Sequence, residues 1–306
     1  MPPSDPDILI VGGGAAGLTA AIFAARVAVP KGKRVVVLES ARRPGAKILV
    51  SGGGRCNVTN TRVTPRDFCG GPQPTIRKVL AEFNERRTLE WFAELGVDLK
   101  LEPDGKYFPE SDSARTVLDA LLRGGAEAGA ELALGSRVDG IACSPKGFLV
   151  RVAGLDGSHS EYLATRLIIA SGGRALPKSG SDGAVMEMIG RLGHTIIPTT
   201  PALAPLLLRP GVQLGGRFAE LKGIVIDGRL RLLDSNRLVA QSDGPVLFTH
   251  FGLSGPAAMN FSRHWLRARL DHPEKPHRVT LGLSQFDDPH AAEEWIVAYA
   301  REHPRQ

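Results

Sequence analysis

Glycines stand at a fixed spacing near the start of the chain. The pattern Gly12-x-Gly14-x-x-Gly17 joins the apolar run Ile8–Val11 to the Ala-rich stretch Ala15–Ala28, a predicted strand followed by a predicted helix. Gly12 permits a tight turn, Gly14 lets backbone approach a pyrophosphate, and Gly17 lets the helix pack closely on the sheet. The start of the helix adds free N–H groups and the positive end of a dipole. We predict dinucleotide contacts at Gly12, Gly14, Ala15, Ala16 and Gly17.

An acidic residue follows the second apolar run. Glu39 comes directly after Arg34–Leu38, where a carboxylate can bind the ribose hydroxyls of adenosine. A glycine-rich turn beside a surface Glu is the alternative interpretation. Three features favour FAD over NAD. The acid is Glu, the glycines lie at the very start of the chain, and a later apolar run, Leu167–Ala170, opens into Ser171 and Gly172.

A second glycine cluster precedes Asn57. Consecutive glycines, including Gly52 and Gly53, present bare backbone N–H groups, which suits an anion. Arg55 adds a positive charge, and the Asn57 amide offers both a donor and an acceptor. A flexible loop without a ligand is the alternative. We interpret the segment as a loop that contacts the ligand.

Alternating strand-like and helix-like segments predict the α/β class. The two apolar runs and the helix-favouring stretch between them are typical of a βαβ unit with buried parallel strands. The segment Ser40–Gly71 shows little periodicity and is predicted to be a long loop. A small antiparallel meander is predicted at Val138–Cys143, Gly147–Val152 and Glu161–Leu163.

After His194 the chain changes character, because prolines separate short apolar segments. Strands are predicted at Ile224–Ile226, Leu230–Leu233 and Val246–Phe248. We predict a Rossmann-like FAD-binding domain over residues 1–194. A β-rich domain, inserted or appended, follows over residues 195–280, and a helical tail over residues 281–306.

The segment Phe248–Pro256 holds a candidate proton donor. Ser254 is suited to cap a helix, Pro256 suits its first turn, and His250 could donate a proton near a bound flavin. A capped helix with a hydrogen-bonded histidine explains the same residues equally well. No catalytic residue is therefore assigned.

Composition narrows the chemistry. Cys56, Cys69 and Cys143 form no Cys-x-x-Cys pair, which argues against a zinc site, a disulfide framework and a dithiol-exchange flavoenzyme. The net charge is +6 without a run of five basic residues, so nucleic-acid binding is not favoured. Acids precede the apolar stretch Ile8–Val29 and glycines interrupt it, so neither a signal peptide nor a membrane span is expected. We expect a cytoplasmic protein without a bound metal.

Together these segments resemble a family of bacterial FAD-dependent flavoproteins, the aminoacetone oxidase-like or bile-acid-inducible reductase-like proteins. The resemblance runs from Ile8 to Ser262, and Ser51-Gly-Gly-Gly-Arg-Cys-Asn57 is its most specific part. It implies an oxidoreductase in which non-covalent FAD transfers hydride, with a small-molecule substrate and NAD(P)H as a candidate reductant. The FAD contacts that it implies are Gly12, Gly14, Gly17, Glu39, Lys47, Gly52, Asn57, Val138 and Gly172. It supplies neither the substrate nor the oligomeric state.

One departure from the family concerns the C-terminal part. Members return to the flavin domain through a glycine-rich closing segment, and the 306 residues contain none. The resemblance therefore predicts a short or truncated flavoprotein. A protein that binds the dinucleotide without turnover stays open as an alternative. A flavin-free NAD(P) dehydrogenase is a further one.

Overall fold

The computed structural model describes residues 5–68, 70–208, 218–283, 286 and 288–302, and Cys69 therefore lies outside it. The chain divides into two compact units, Met1–Ile197 and Pro198–Gln306. Each unit has its own apolar core. The domain bounds given above stay a prediction.

The first unit contains ten described strands and six described α-helices. Its strands are β1 (Ile8–Val11), β2 (Val35–Glu39), β3 (Thr59–Asn60), β4 (Leu99–Leu101), β5 (Lys106–Pro109), β6 (Glu131–Leu134), β7 (Ser136–Ser144), β8 (Gly147–Gly154), β9 (His159–Ala164) and β10 (Arg166–Ile169). Its helices are α1 (Ala15–Ala28), α2 (Ala46–Val50), α3 (Gln73–Glu82), α4 (Glu85–Glu94), α5 (Ala114–Glu127) and α6 (Ala184–Arg191).

A parallel sheet with the order β10-β1-β2-β6 forms the centre of this unit. Its two middle strands are apolar along their length because both faces of the sheet are covered. On one face Ile10 and Val37 pack against Ala21 and Ala25 of α1. The Rossmann-like α/β fold predicted from the sequence is confirmed.

The opposite face of the parallel sheet is covered by the antiparallel meander β7-β8-β9. Val138 and Val150 of the meander belong to one buried cluster with Leu9 and Leu38 of the sheet. The sheet is therefore sandwiched between helices and the meander, which the sequence predicted as separate elements. Strand β10 is only half-buried because it forms an edge of the sheet.

The segment Ser40–Gly71 is more ordered than the sequence indicated. It contains α2 and a 3-10 turn over Ser51–Gly54. Gly45 precedes α2 with a φ of 72°, and Ile48 buries its side chain in the cluster formed with α4 and α5. The prediction of one long loop was wrong because a tertiary contact, rather than periodicity, stabilises so short a helix.

The second unit holds an antiparallel sheet with the order β11-β14-β13-β12-β15. Its elements are β11 (Leu206–Leu207), β12 (Val225–Asp234), β13 (Arg237–Thr249), β14 (Gly252–Ser254), α7 (Gly255–Asp271), β15 (His277–Leu283) and α8 (Pro289–Glu302). Helix α7 packs on one face of the sheet, where Leu230 and Phe248 contribute to a cluster with Phe261. Of the helices in the described part of the chain, none combines the length and apolarity needed to cross a bilayer.

Two local predictions in the second unit need correction. The predicted strands Ile224–Ile226 and Leu230–Leu233 belong largely to one strand, β12, because Gly228 stays paired with Gly244 between them. Ser254 occupies the N-cap position of α7, but its side chain makes no capping hydrogen bond.

Backbone contacts fix two glycines of the turn between β1 and α1. Gly12 has a φ of 109°, and a Cβ atom there would lie 2.5 Å from the Ala170 carbonyl oxygen. A Cβ atom on Gly17 would lie 1.8 Å from the Gly12 carbonyl oxygen. Gly14, in contrast, has a φ of −87°, and a Cβ atom there would meet nothing within 4 Å. Gly12 and Gly17 are therefore needed for packing, whereas Gly14 faces open space.

Replacing Gly17 with Ala should destabilise the protein, whereas the matched variant Gly14→Ala should not. The new methyl group at residue 17 forces the turn away from the helix, at a cost of about 3 kcal/mol. The melting temperature should fall by about 6–12 °C for Gly17→Ala and change by no more than about 2 °C for Gly14→Ala. Thermal unfolding followed by circular dichroism tests this, and equal shifts in the two variants would contradict the packing argument.

The core between α1 and its neighbouring helices provides a second stability test. Ile22 is fully buried, whereas Val27 on the same helix is 62% exposed. Ile22→Ala should lower the free energy of unfolding by about 3 kcal/mol because it leaves a cavity. Val27→Ala should change it by no more than about 0.5 kcal/mol. Urea unfolding measures both values, and a small effect at Ile22 would mean that α1 is misplaced.

Candidate functional site

A cavity of about 590 Å³ opens at the carboxyl ends of β1 and β2, where ligands bind in open parallel sheets. Its volume lies within the range of small-molecule sites, about 300–1,000 Å³. Of the predicted contact residues, the following line it: Gly12, Gly14, Ala15, Ala16, Glu39, Lys47, Asn57, Val138, Ser171 and Gly172. The fold thus brings together residues separated by up to 160 positions, from Gly12 to Gly172.

The wall formed by β1, the glycine turn and α1 is lined by glycines and small side chains. Gly14 is the N-cap residue of α1, and no acidic side chain occupies the first turn of that helix. The amides at this end are therefore not neutralised by a neighbouring carboxylate of the helix, and the dipole favours an anion. The open space at Gly14 gives a ligand room to approach the backbone.

The carboxylate of Glu39 is held at the end of β2 by hydrogen bonds. One oxygen, Oε2, accepts from the Gly13 amide at 2.8 Å. The other, Oε1, accepts from the Ala41 amide at 2.8 Å and from the Ser40 hydroxyl at 3.2 Å. These bonds fix the carboxylate against the glycine turn, and Glu39 lines the cavity. Oε2 retains a lone pair that can accept a hydrogen bond from a ligand hydroxyl.

Positive side chains face the same cavity. Lys47 and Arg43 both line it, and neither has a hydrogen-bond or ion-pair partner among the residues that the structure describes. A Cβ atom on Gly172 would lie 3.5 Å from the Lys47 ammonium nitrogen, so the chain after β10 passes close to that charge. Unpaired cations beside free helix amides suit a ligand that carries phosphate.

Arg55 has a different environment from the one predicted. Its guanidinium pairs with the Glu102 carboxylate, lies 3.6 Å from Asp112 and sits 4.0 Å from the centroid of the Phe108 ring. The hydrogen bond to Glu102 raises the pKa of Arg55. Arg55 does not line the cavity. Its contacts connect the loop Ser51–Asn57 to the small sheet β3-β5-β4, and a direct contact of Arg55 with a ligand stays a prediction.

Three predicted glycines also lie outside the cavity lining. Gly17 packs against the glycine turn, as described above. A Cβ atom on Gly52 would lie 2.7 Å from the Phe108 ring and 2.8 Å from the Asn57 amide nitrogen, so Gly52 lets the loop fold back on itself. Gly53 has a φ of 70° and open surroundings. A direct ligand contact from any of the three stays a prediction.

Sequence reasoning missed the inner wall of the cavity. It is apolar and comes from α2, α4 and α5, with Ile48, Trp91, Phe92, Val117 and Leu121 among its residues. The buried thiol of Cys56 also lines it, and burial raises the pKa of that thiol, which disfavours a reactive thiolate. The amphipathic pattern of α5 was visible in the sequence, but which cavity its apolar face meets depends on long-range packing.

The remaining candidates concern metal and acid chemistry. Within the described ranges, no three His, Cys, Asp or Glu side chains come together in a way that could hold a metal ion. His250 lies in the second unit, where its ring packs edge-on against Phe251 at 4.9 Å. Its role as a proton donor stays a prediction.

Comparison with known proteins places the chain in a family. The model of the HI0933-like protein Rossmann domain matches residues 6–290. A 3-dehydro-bile acid delta(4,6)-reductase from Clostridium scindens is 34% identical over 270 residues, which cover 88% of this chain and 63% of that protein. A ribosomal RNA dihydrouridine synthase from Escherichia coli is 29% identical over 259 residues, which cover 85% of this chain and 61% of that protein.

Among solved structures, a 3-ketosteroid-delta4-(5alpha)-dehydrogenase from Rhodococcus jostii matches with a TM-score of 0.49 and 17% identity. The match covers 62% of this chain and 54% of that one. The chain spans less than two thirds of the length of the curated relatives described above. The name of the Escherichia coli relative leaves the predicted exclusion of nucleic acid without support. The match over residues 6–290 shows that this chain belongs to the HI0933-like family of Rossmann-domain proteins.

Proposed function

We propose that the first unit binds FAD non-covalently in the cavity and that the protein is an FAD-dependent oxidoreductase. The observation that carries this proposal is a helix N-terminus without a capping or acidic side chain, next to the Glu39 carboxylate, which bonds to the Gly13 amide of the same turn. That pairing supplies the two recognition elements of an adenine dinucleotide, phosphate and ribose. The 34% identity to a protein named as a reductase supports redox chemistry.

The residues on the cavity wall fit the parts of such a cofactor. The backbone at Gly12, Gly14, Ala15 and Ala16 would hold the pyrophosphate, with Lys47 and Arg43 adding positive charge. Glu39 would accept hydrogen bonds from the ribose hydroxyls. Asn57, Val138 and Gly172 are further contacts that the family resemblance implies, and they line the same cavity together with Ser171. When bound, the flavin supplies hydride transfer, and the protein supplies binding, orientation and electrostatics.

The choice of FAD rather than NAD rests on several weaker observations. The acid at the end of β2 is Glu, and the chain after β10 runs through Ser171 and Gly172 along the cavity. The inner wall from α2, α4 and α5 is apolar, which suits the exclusion of water from a redox site. A flavin-free NAD(P) dehydrogenase remains the competing assignment.

The substrate class has two candidates. A small apolar molecule is supported by the more similar relative, which is named for a bile acid, with NAD(P)H as the proposed reductant. An RNA is supported by the less similar relative, which is named for ribosomal RNA. We propose the small molecule, and we propose a cytoplasmic location, which the free thiols Cys56 and Cys143 support.

An absorbance spectrum of the purified chain, incubated with FAD and passed through a desalting column, tests the cofactor. Retained visible flavin absorbance that bleaches anaerobically with NAD(P)H supports the full proposal. Retained flavin that no pyridine nucleotide reduces supports dinucleotide binding without turnover. A colourless sample that binds NAD instead would overturn the assignment.

Glu39→Gln should weaken FAD binding about tenfold, because the neutral amide loses the charge-assisted hydrogen bonds to the ribose. The matched control is Glu131→Gln, since Glu131 lies at the edge of the same sheet, pairs with Arg34 and does not line the cavity. The quenching of FAD fluorescence on titration gives both dissociation constants. Equal affinities in Glu39→Gln and the wild type, with both proteins folded, would remove Glu39 from the site.

A further inference from the structure

Residues 171–183, which lie between β10 and α6, border the cavity, and we call them the strap. Ser171, Gly172, Ser179, Gly180, Ser181 and Asp182 of the strap line the cavity. Residues 172–178 are exposed. The two ends of the strap therefore adjoin the cavity, and its middle is exposed to solvent.

Close approaches to other elements show the path of the strap. Near its start, a Cβ atom on Gly172 would lie 3.5 Å from the Lys47 ammonium nitrogen. Near its end, a Cβ atom on Gly180 would lie 3.1 Å from the Ser40 hydroxyl, directly after Glu39. The strap thus passes from the end of β10 to the end of β2, across the opening above the carboxylate proposed to bind ribose.

The strap has little regular structure to hold it in place. Leu176, Gly180 and Gly183 have φ values of 51°, 91° and 87°, and the one regular element within it is a single 3-10 turn over Pro177–Ser179. The Ser181 hydroxyl donates to the Gly173 carbonyl, which closes the strap on itself. A segment with so few backbone hydrogen bonds to its surroundings opens at a low free-energy cost.

One ion pair connects the strap to the meander. A guanidinium nitrogen of Arg137, on β7, lies 2.6 Å from a carboxylate oxygen of Asp182. The other Asp182 oxygen accepts a hydrogen bond from the Ala184 amide at 3.0 Å, at the start of α6. Across the described part of the chain, no other side-chain hydrogen bond or ion pair links the strap to an element other than α6. Both side chains line the cavity.

We propose that Arg137 and Asp182 form a clasp that keeps the strap closed over the bound nucleotide, so that breaking the pair accelerates nucleotide release. The proposal rests on the proposed function, because it needs FAD in the cavity. Arg137 directly precedes Val138, a proposed cofactor contact, so the clasp closes beside the adenosine end of the site. Both partners are nearly half exposed, with side-chain exposures of 47% and 43%. The effect is therefore moderate, and salt weakens it.

The rate of FAD release from the loaded protein tests the clasp. Flavin fluorescence recovers as FAD leaves, and an excess of a non-fluorescent competitor such as ADP prevents rebinding. Asp182→Asn and Arg137→Gln should each release FAD about fivefold faster than the wild type. The double variant should release it no faster than either single variant, since both changes break the same pair. The swapped pair, Arg137→Asp with Asp182→Arg, should restore slow release.

Arg151→Gln is the matched control. Arg151 also lies in the meander and pairs with Asp139 at 2.9 Å, but neither residue lines the nucleotide cavity. Its release rate should equal that of the wild type. Added salt should accelerate release more in the wild type and in Arg151→Gln than in Asp182→Asn. Equal rates in Asp182→Asn, Arg137→Gln and the control would overturn the clasp.

Limited proteolysis separates failure of the clasp from failure of the proposed function. Arg174 and Lys178 are exposed trypsin sites within the strap, and cleavage there needs no cofactor. Without FAD, trypsin should cut the strap several-fold faster in Asp182→Asn than in the wild type or Arg151→Gln. Faster cleavage in a protein that retains no FAD would support the clasp and reject the cofactor. Normal FAD retention with unchanged cleavage and release would reject the clasp alone.

Discussion

The contact between the glycine turn and the elements around it is the constraint on which the site depends. The Gly12 carbonyl oxygen occupies the space that a side chain on residue 17 would need, and the Ala170 carbonyl oxygen occupies the space beside residue 12. These contacts bring the start of α1 close to the ends of β1 and β10. The start of the helix therefore lies at the cavity. A larger residue at either position would displace the start of α1 and change the shape of the cavity.

The rest of the first unit supports this arrangement through burial. Strands β1 and β2 are covered on both faces, by α1 on one side and the meander on the other, so they cannot slide without exposing apolar side chains. Because the two strands are held in place, the positions of the glycine turn after β1 and of Glu39 at the end of β2 are also set. The Glu39 carboxylate then links the end of β2 to the turn after β1, because it accepts a hydrogen bond from the Gly13 amide. The carboxylate that we propose for ribose binding is thus also part of the framework.

The parts of the fold that the sequence predicted are those with local signals. The strand, glycine turn and helix lie within some 20 consecutive residues, and the apolar run before Glu39 carries its own pattern. The three segments predicted to form an antiparallel meander lie within β7, β8 and β9. Helix α2 was not predicted because its five residues are too few to show a periodic pattern and because contacts with α5 stabilise it.

The parts of the site that the sequence did not predict depend on pairing between distant residues. Arg55 meets Glu102 47 positions away, and Arg137 meets Asp182 45 positions away. Nothing in the neighbouring sequence tells which arginine is paired and which, like Arg43, remains free for a ligand. The apolar inner wall poses the same problem, since Trp91 and Leu121 show a core pattern whether or not a cavity adjoins them.

Membership in the family bears on nucleotide binding but does not identify the substrate. The two relatives described above carry names that refer to a bile acid and to ribosomal RNA, which are chemically unrelated molecules. The backbone amides at the start of α1 and the Glu39 carboxylate suit the phosphate and ribose of a nucleotide cofactor. Proteins with different substrates can bind such a cofactor in the same way. These features of the cavity therefore carry no information about the substrate.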